Sequence, residues 1–172
     1  MNILVCISKA PDTTSKIAFT NNSTQFDENG VQYIVNPYDE WYALVRALEL
    51  KETIGGSVTI VTVGTATDEA VIRKALAIGA DEAVRIDADP KDAYYVAMQI
   101  SSYAKAKGFD LVMTGKETIN YNGSQVGGMI AEAMDLPFVS LATKLDANGS
   151  TLTLEREIVG GVQVVEVSTP AV

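Results

Sequence analysis

Few side chains in this sequence could do chemistry on their own. Histidine is absent and Cys6 is the single cysteine. Without an imidazole there is no Ser-His-Asp triad and no His zinc site. One thiol makes neither an intrachain disulfide nor a thiolate cluster, which fits a reducing compartment. Chemistry is instead expected where short segments follow apolar runs: Cys6-Ile7-Ser8-Lys9, Val63-Gly64-Thr65-Ala66, Asp87-Ala88-Asp89-Pro90 and Gly115-Lys116. If those runs are strands of an open parallel sheet, these segments lie at its carboxyl edge, where ligands bind near the switch point.

The richest of them continues from Gly115-Lys116 through Glu117-Thr118-Ile119-Asn120-Tyr121-Asn122-Gly123 into a helix beginning Ser124-Gln125-Val126-Gly127-Gly128. The first backbone N–H groups of a helix have no partner within it, and its N-terminus is electropositive. A phosphate over Ser124, Gln125 and Val126 is the natural occupant. Gly115 is expected to let a ligand approach the backbone, and Gly123 to supply positive φ before the helix. Gly127 and Gly128 each cost the helix on the order of 1 kcal/mol, which suggests that something large comes close. The plain alternative is a strand–loop–helix link with Ser124 as N-cap. The run matches neither a Walker A loop nor GxGxxG.

The other candidates are weaker. Val63-Gly64-Thr65-Ala66 could read an adenine edge with backbone groups, but an ordinary strand-to-helix link with Thr67 or Asp68 as N-cap is the favoured reading. Asn36 is explained by helix capping, although such an Asn can also meet a ligand. Cys6 reads as a buried strand residue with no base beside it. Lys9 and Lys116 either attract phosphate or are solvated surface lysines. Any catalysis would come from a bound cofactor.

These segments need a scaffold, and the pattern supplies one. Residues 2–8 form an apolar run suited to a buried parallel strand. Asn21-Asn22-Ser23 is turn chemistry, and Asp27-Glu28-Asn29-Gly30 between Phe26 and Val31 reads as a hairpin tip or an irregular loop. Asn36 as N-cap and Pro37 at the first helical position open a helix with Asp39 and Glu40 in its first turn. Trp41, Leu44, Val45 and Leu48 form its apolar stripe, and Gly55-Gly56 ends it. Strands follow at Ser57–Val63, Ala83–Ile86 and Leu111–Thr114. Helices alternate with them at Asp68–Ile78, Lys91–Lys107 and Ser124–Met134. This order predicts an α/β fold: a three-layer αβα parallel sheet of the flavodoxin or adenine-nucleotide-hydrolase kind. Val139–Leu145, Thr151–Ile158 and Val162–Ser168, with turns at Asn148-Gly149 and Gly160-Gly161, predict an antiparallel β extension at the C-terminal end. The sequence stops at Thr169-Pro170-Ala171-Val172, directly after a strand. Residues 1–172 therefore read as one nucleotide-binding domain that is part of a longer chain.

Composition narrows the partners. The net charge is −9, the sequence pI is about 4.4 and 47% of residues are hydrophobic. An acidic chain is a poor nucleic-acid binder, because phosphate contacts need clustered Lys and Arg. The N-terminus has no basic n-region, and no apolar run is long enough for a membrane span. A cytoplasmic protein is expected.

Several segments together resemble electron transfer flavoprotein β-subunits. Asn36-Pro37-Tyr38-Asp39-Glu40 is similar to their NP-[FY]-[DC]-E helix start. Ile72-Arg73-Lys74-Ala75-Leu76-Ala77-Ile78-Gly79-Ala80-Asp81 resembles R-x-A-L-A-M-G-A-D. Asp110-Leu111-Val112-Met113-Thr114-Gly115-Lys116 resembles D-L-V-L-x-G-K/R. Gln125-Val126-Gly127 fits Q-[TV]-G, and Leu154 to Gly161 resembles x-E-R-E-x-x-G-G. The matches occur in order along the whole chain.

The resemblance implies a heterodimer with an α-subunit that holds most of the electron-carrying FAD. It implies a structural AMP in this subunit, or a second FAD in the bifurcating type. Electrons would pass from dehydrogenases to a quinone reductase or other acceptor, the chain being a carrier subunit and not an enzyme by itself. The dehydrogenases would dock on a segment not in this chain. Residue by residue, the nucleotide would meet Cys6, Asn36, Pro37, Tyr38, Asp39, Val63, Gly115, Lys116, Glu117, Thr118, Ile119, Asn120, Tyr121, Asn122, Gly123, Ser124, Gln125 and Val126. The family commonly has acids at the positions of Asn120 and Asn122, so the amides here depart from it. The rival reading is an ATP-binding stress or sensor module of the same fold class. The glycine spacing around Gly115 and Gly123 does not suit that rival.

Overall fold

The computed structural model describes residues 1–172. It begins with β1 (Asn2–Cys6), β2 (Lys9–Pro11), β3 (Phe19–Thr20), β4 (Gln25–Phe26) and β5 (Tyr33–Val35), followed by α1 (Asp39–Ile54). Next come β6 (Ser57–Gly64), a 3-10 turn (Ala66–Asp68), α2 (Glu69–Ile78), β7 (Glu82–Asp87), α3 (Ala93–Lys107), β8 (Leu111–Met113) and α4 (Val126–Met134). The chain ends with β9 (Ala142–Asn148), β10 (Thr151–Ile158) and β11 (Gly161–Ser168).

Four of these strands make the parallel sheet, in the order β7-β6-β1-β8. Ile3, Val5, Ile7, Val58 and Ile60 face α1 and α2, whose Ala43, Leu44, Ala47, Leu50, Val71 and Ile72 share one core with them. Leu4, Cys6, Val61, Val63 and Val112 face α3 and α4, where Ala97, Ile100, Ala104 and Ile130 close the second core. This is the expected three-layer αβα arrangement. The sheet is near-continuously apolar because both of its faces are covered. The chain works outward from β1 to β7, then returns to β8 on the other side. The switch point therefore falls between β1 and β8.

The antiparallel extension forms a sheet of its own, ordered β11-β10-β9. Its Leu145, Leu152 and Leu154 join the α1-side core, and Arg46 on α1 donates through Nε to the Leu145 carbonyl at 3.0 Å. The chain then returns to the main sheet. Ala171 bridges Leu111, and Val112 N–H donates to the Ala171 carbonyl. A monomer of this mass is expected to keep roughly 8,000 Å² of accessible surface; this one keeps 9548 Å².

Several local expectations are corrected. The tip of the β3–β4 hairpin is Asn21-Asn22-Ser23, three successive residues at positive φ. Asp27–Gly30 is the turn that leads into β5, which pairs with β2 around that hairpin. Helix α1 starts at Asp39, not Pro37, and Tyr38 in its N-cap place has φ 67°. Its buried stripe is Glu40, Ala43, Leu44, Ala47 and Leu50; Trp41 and Leu48 only flank it. On α2, Val71, Ile72 and Ala75 are buried while Leu76 is 36% exposed.

The glycines of α4 face the protein itself. A Cβ on Gly127 would stand 2.7 Å from Thr114 Oγ1 and 3.2 Å from the Phe138 ring, whereas one on Gly128 meets only ordinary contact at 3.5 Å. Gly128→Ala is therefore expected to raise stability by about 0.5–1 kcal/mol through helix propensity. Gly127→Ala is expected to lower it, by about 1 kcal/mol, through overpacking. Urea unfolding of the two variants checks this, and shifts of the same sign would contradict it.

Candidate functional site

Strand β1 ends in Cys6 and runs on through Ile7 to Ser8. Across the switch point, β8 ends in Met113 and runs on through Thr114 to Gly115. Helix α1 begins between and above these ends, because Asn36 N–H donates to the Ser8 carbonyl at 2.9 Å. Asn36 is not a helix cap. Its side chain is fully buried and fastens three pieces of chain together. Nδ2 donates to Ser8 Oγ at 3.3 Å and to Asn120 Oδ1 at 3.1 Å. Oδ1 accepts from Ile119 N–H at 3.1 Å. Asp39 adds a fourth tie, its Oδ2 accepting from Glu117 N–H at 3.1 Å. The loop from Lys116 to Gln125 is thus hung on the start of α1.

Gly115 makes that seating possible. A Cβ there would come 2.8 Å from Glu40 Cγ, 3.0 Å from Glu40 N and 3.1 Å from Asp39 Cβ. The close approach expected of a ligand is made instead by the first turn of α1. Gly123 is likewise not the residue at positive φ. Asn122 and Ser124 on either side of it have φ 49° and 50°, and a Cβ on Gly123 meets nothing within 4 Å. Ser124 lies outside α4, which starts at Val126 after Gln125 in the N-cap place. Ser124 Oγ donates to Glu117 Oε2 at 3.1 Å.

The remaining predicted residues divide by face of the sheet. Cys6, Val63 and Val126 pack in the α3/α4-side cluster, while Asn36 and Asp39 stand on the α1 side. The loop crosses the sheet edge from one group to the other. Pro37 is half-buried, and Tyr38 and Tyr121 project, 60% and 81% exposed. Burial drives the Cys6 thiol pKa far up, with the Glu40 charge adding to the effect. This thiol is inert as a nucleophile. Gly64 serves the next turn and not a ligand, since a Cβ there would sit 2.6 Å from Asp68 Cγ. Thr65 and Asp68 form a capping box at that turn.

No cation at this edge is free. Lys116 Nζ lies 2.9 Å from Glu117 Oε1. Their hydrogen bond raises the Lys116 pKa and lowers that of Glu117. Lys9 Nζ donates to Thr67 Oγ1 at 2.8 Å, lies 3.6 Å from Asp68 and sits 4.6 Å from the centre of the Tyr33 ring. The N–H groups of Gly123, Ser124, Gln125 and Val126 donate to no protein acceptor. Positive potential in the loop therefore comes from backbone amides at the head of α4.

Sequence reasoning missed two members of the constellation. Glu40, only 7% exposed, receives Ser8 N–H at 2.6 Å and Ser8 Oγ at 2.8 Å. It reads in sequence as a first-turn acid, and only its place on the helix face turns it inward. A separate cleft of 1110 Å³ opens between α1, β8 and the antiparallel sheet. It shares Asp39, Gly115, Lys116 and Ser124 with the predicted set, but a long part of its wall is Phe138–Asp146 and the β10 leucines. Nothing in local sequence announces it. No group of three or more His, Cys, Asp and Glu side chains could hold a metal ion, and no helix is long and apolar enough to cross a membrane.

Comparison with known proteins places the scaffold. The family model for the electron transfer flavoprotein domain matches residues 23–172. The chain belongs to the electron transfer flavoprotein family. It is 38% identical to the electron transfer flavoprotein subunit beta of Bacillus subtilis (strain 168), over 99% of this chain and 66% of that protein. It is 36% identical to protein FixA of Azotobacter vinelandii, over 99% of this chain and 63% of that protein. It is 31% identical to the acryloyl-CoA reductase electron transfer subunit gamma of Anaerotignum propionicum, over 99% and 65%. The chain thus spans about two thirds of the length of these relatives. In this chain the segments from Asn36 to Glu40 and from Asp110 to Val126 build the loop and its anchors.

Proposed function

We propose that this chain is the adenine-nucleotide-holding part of an electron transfer flavoprotein β-subunit, with AMP as a structural ligand. The observation that carries this reading is the anchored loop at the β1/β8 switch point, which leads unpaired amide groups into the head of α4. That donor set fits a phosphate: four consecutive N–H groups from Gly123 to Val126 lack protein acceptors, and a helix N-terminus favours an anion. The apolar Cys6, Val63 and Val126 beside it fit a purine face. Asn120 and Asn122, in place of acids, can still donate to and accept from ribose hydroxyls. AMP binding only the folded state would stabilise it by mass action.

On this reading the partner is an α-subunit carrying FAD, and electrons pass from dehydrogenases to a quinone reductase or other acceptor. FAD would supply the redox chemistry; this chain positions and shields. An accessible area roughly 1,500 Å² above expectation for the mass supports a protein partner. So does the exposure of Ile158, Val159, Val162 and Val164 along β10, its turn and β11, from 47% to 104%; such patches mark interaction surfaces. The test is mass spectrometry of the small molecules released when the purified protein is denatured. AMP in near-stoichiometric amount is expected. ATP alone would favour the sensor-module reading, and no nucleotide on a protein that also fails to bind added AMP would overturn the proposal.

A further inference from the structure

We propose that Glu40 is a positioning residue whose proton sets how firmly the loop from Lys116 to Gln125 is seated, acting through Ser8 and Asn36. The inference concerns the chain's own loop and holds whatever ligand the loop meets. It rests on a buried carboxyl with no countercharge, joined to the loop by an unbroken line of hydrogen bonds.

The charged surroundings are those of an isolated acid. Asp39, the neighbour on α1, is a second acid, and its carboxylate is engaged with Glu117 N–H. From the end of β1, Glu40 faces the Ser8 N–H and hydroxyl, while the Cys6 thiol, turned to the other face of the sheet, feels only its charge. From the β8 side it faces the Gly115 backbone. The two lysines of this edge are committed elsewhere, Lys116 to Glu117 and Lys9 to Asp68. Arg46, further along α1, pairs with Glu49 and Asp146. No ion pair includes Glu40. Burial is the main cause that pushes its pKa up to about 8, with the Asp39 charge adding and the two Ser8 hydrogen bonds opposing. The proton is therefore exchanged within reach of ordinary pH.

Hydrogen-bond direction links that proton to the loop. When Glu40 is ionised, Oε2 accepts Ser8 N–H and Oε1 accepts the Ser8 hydroxyl proton. The Ser8 oxygen then turns its lone pairs outward and accepts from Asn36 Nδ2. The line runs one way, Asn36 to Ser8 to Glu40, and each bond polarises the next. A proton on Glu40 goes to Oε1, because Oε2 already holds the Ser8 N–H. The acid then donates to Ser8 Oγ and the bond reverses. Ser8 Oγ then accepts from both Glu40 and Asn36 Nδ2 while its own proton turns aside, so the one-way line is broken and the Asn36 bond loses the polarisation that an anion at its end supplied. Asn36, which also holds Asn120 and Ile119 N–H, is the residue that feels the reversal. Ionisation of Glu40 tightens the loop and protonation loosens it.

The experiment is an NMR titration of the isotope-labelled chain from mildly acidic to alkaline pH. It follows the Glu40 side-chain carboxyl carbon, the Asn36 side-chain amide and the Ile119 backbone amide. All three are expected to shift with one midpoint near 8. Glu40→Gln places an amide donor on Ser8 Oγ and so imitates the neutral acid. In it the Ile119 transition is expected to vanish, and Ile119 N–H to exchange about tenfold faster than in the parent at alkaline pH, the loss of about one hydrogen bond. Ser8→Ala cuts the line. Glu40 is expected to titrate still in that variant, while Asn36 and Ile119 no longer respond. The proposal is overturned if Glu40 titrates and Ile119 does not move, if Glu40 titrates in the ordinary carboxylate range, or if the Ile119 transition survives in Glu40→Gln.

Discussion

Asn36→Ala is expected to release the 116–125 loop and to lower the stability of the whole domain by about 1–3 kcal/mol. The side chain is fully buried and uses both amide protons and its carbonyl oxygen. Alanine removes all three bonds and leaves a small cavity. Ser8 retains Glu40, and Asn120 is exposed and can turn to water, so the global loss stays in the lower part of what a severed buried network costs. The local loss is larger in consequence. Only the Asp39–Glu117 tie then holds the loop to α1, and residues 117–125 become open to protease and fast amide exchange. Asn36→Asp separates the terms. It keeps an acceptor for Ile119 N–H but removes both donors and sets a second buried anion near Glu40, so it is expected to be worse than alanine at alkaline pH. Urea unfolding and limited proteolysis measure the two effects. A variant with parental stability and an intact loop would show that Asn36 is not the anchor.

Gly115→Val is expected to cost more, about 3 kcal/mol or above, since overpacking costs typically 1–3 kcal/mol and more where backbone must move. Its Cβ meets the Glu40 backbone nitrogen and the Asp39 Cβ as well as the Glu40 side chain. No rotamer change relieves a contact with backbone, so the first turn of α1 must shift. That shift carries Asn36 and Asp39 away from Ile119 and Glu117, and AMP retention is expected to fall with stability. Gly123→Ala is the contrast. It meets nothing within 4 Å and does not need positive φ, so it is expected to stay within about 0.5 kcal/mol of the parent. Thermal unfolding of the pair checks the assignment, and equal effects would refute it.

The scaffold was legible because its signals are long and repeated. The apolar runs of β1 and β6 and the alternation of strand and helix segments point to two covered sheet faces without any knowledge of contacts. The resemblance was legible too, since its segments recur in order over the chain. The meaning of single residues was not. Asn36-Pro37 carries a strong helix-start signal, yet the helix begins later, because a buried amide that ties Ser8 to Ile119 outweighs one cap of about 1 kcal/mol. Gly115 and Gly127 were read as room for a ligand, and Gly64 as an ordinary link that could also serve one. Each makes room for the protein's own Glu40, Thr114 or Asp68, and a glycine in a sequence does not tell which neighbour comes close. Glu40 was invisible for a related reason: a helix-dipole acid and a buried polar strut are spelled alike. The cleft beside β8 depends on how a separate sheet leans on α1, which is set by contacts about a hundred residues apart.

The return of the chain to β8 has a consequence for synthesis. Strand β8 receives Ala171 on its outer side, and Val139 and Pro137 pair with Val172. The parallel core is therefore left with a ragged flank until Ala171 and Val172 have cleared the ribosome. A nascent polypeptide stalled after β8 would expose an unpaired, apolar margin, the kind of surface that folding helpers recognise and that sticks to its own kind. That flank closes only when Ala171 and Val172 reach it.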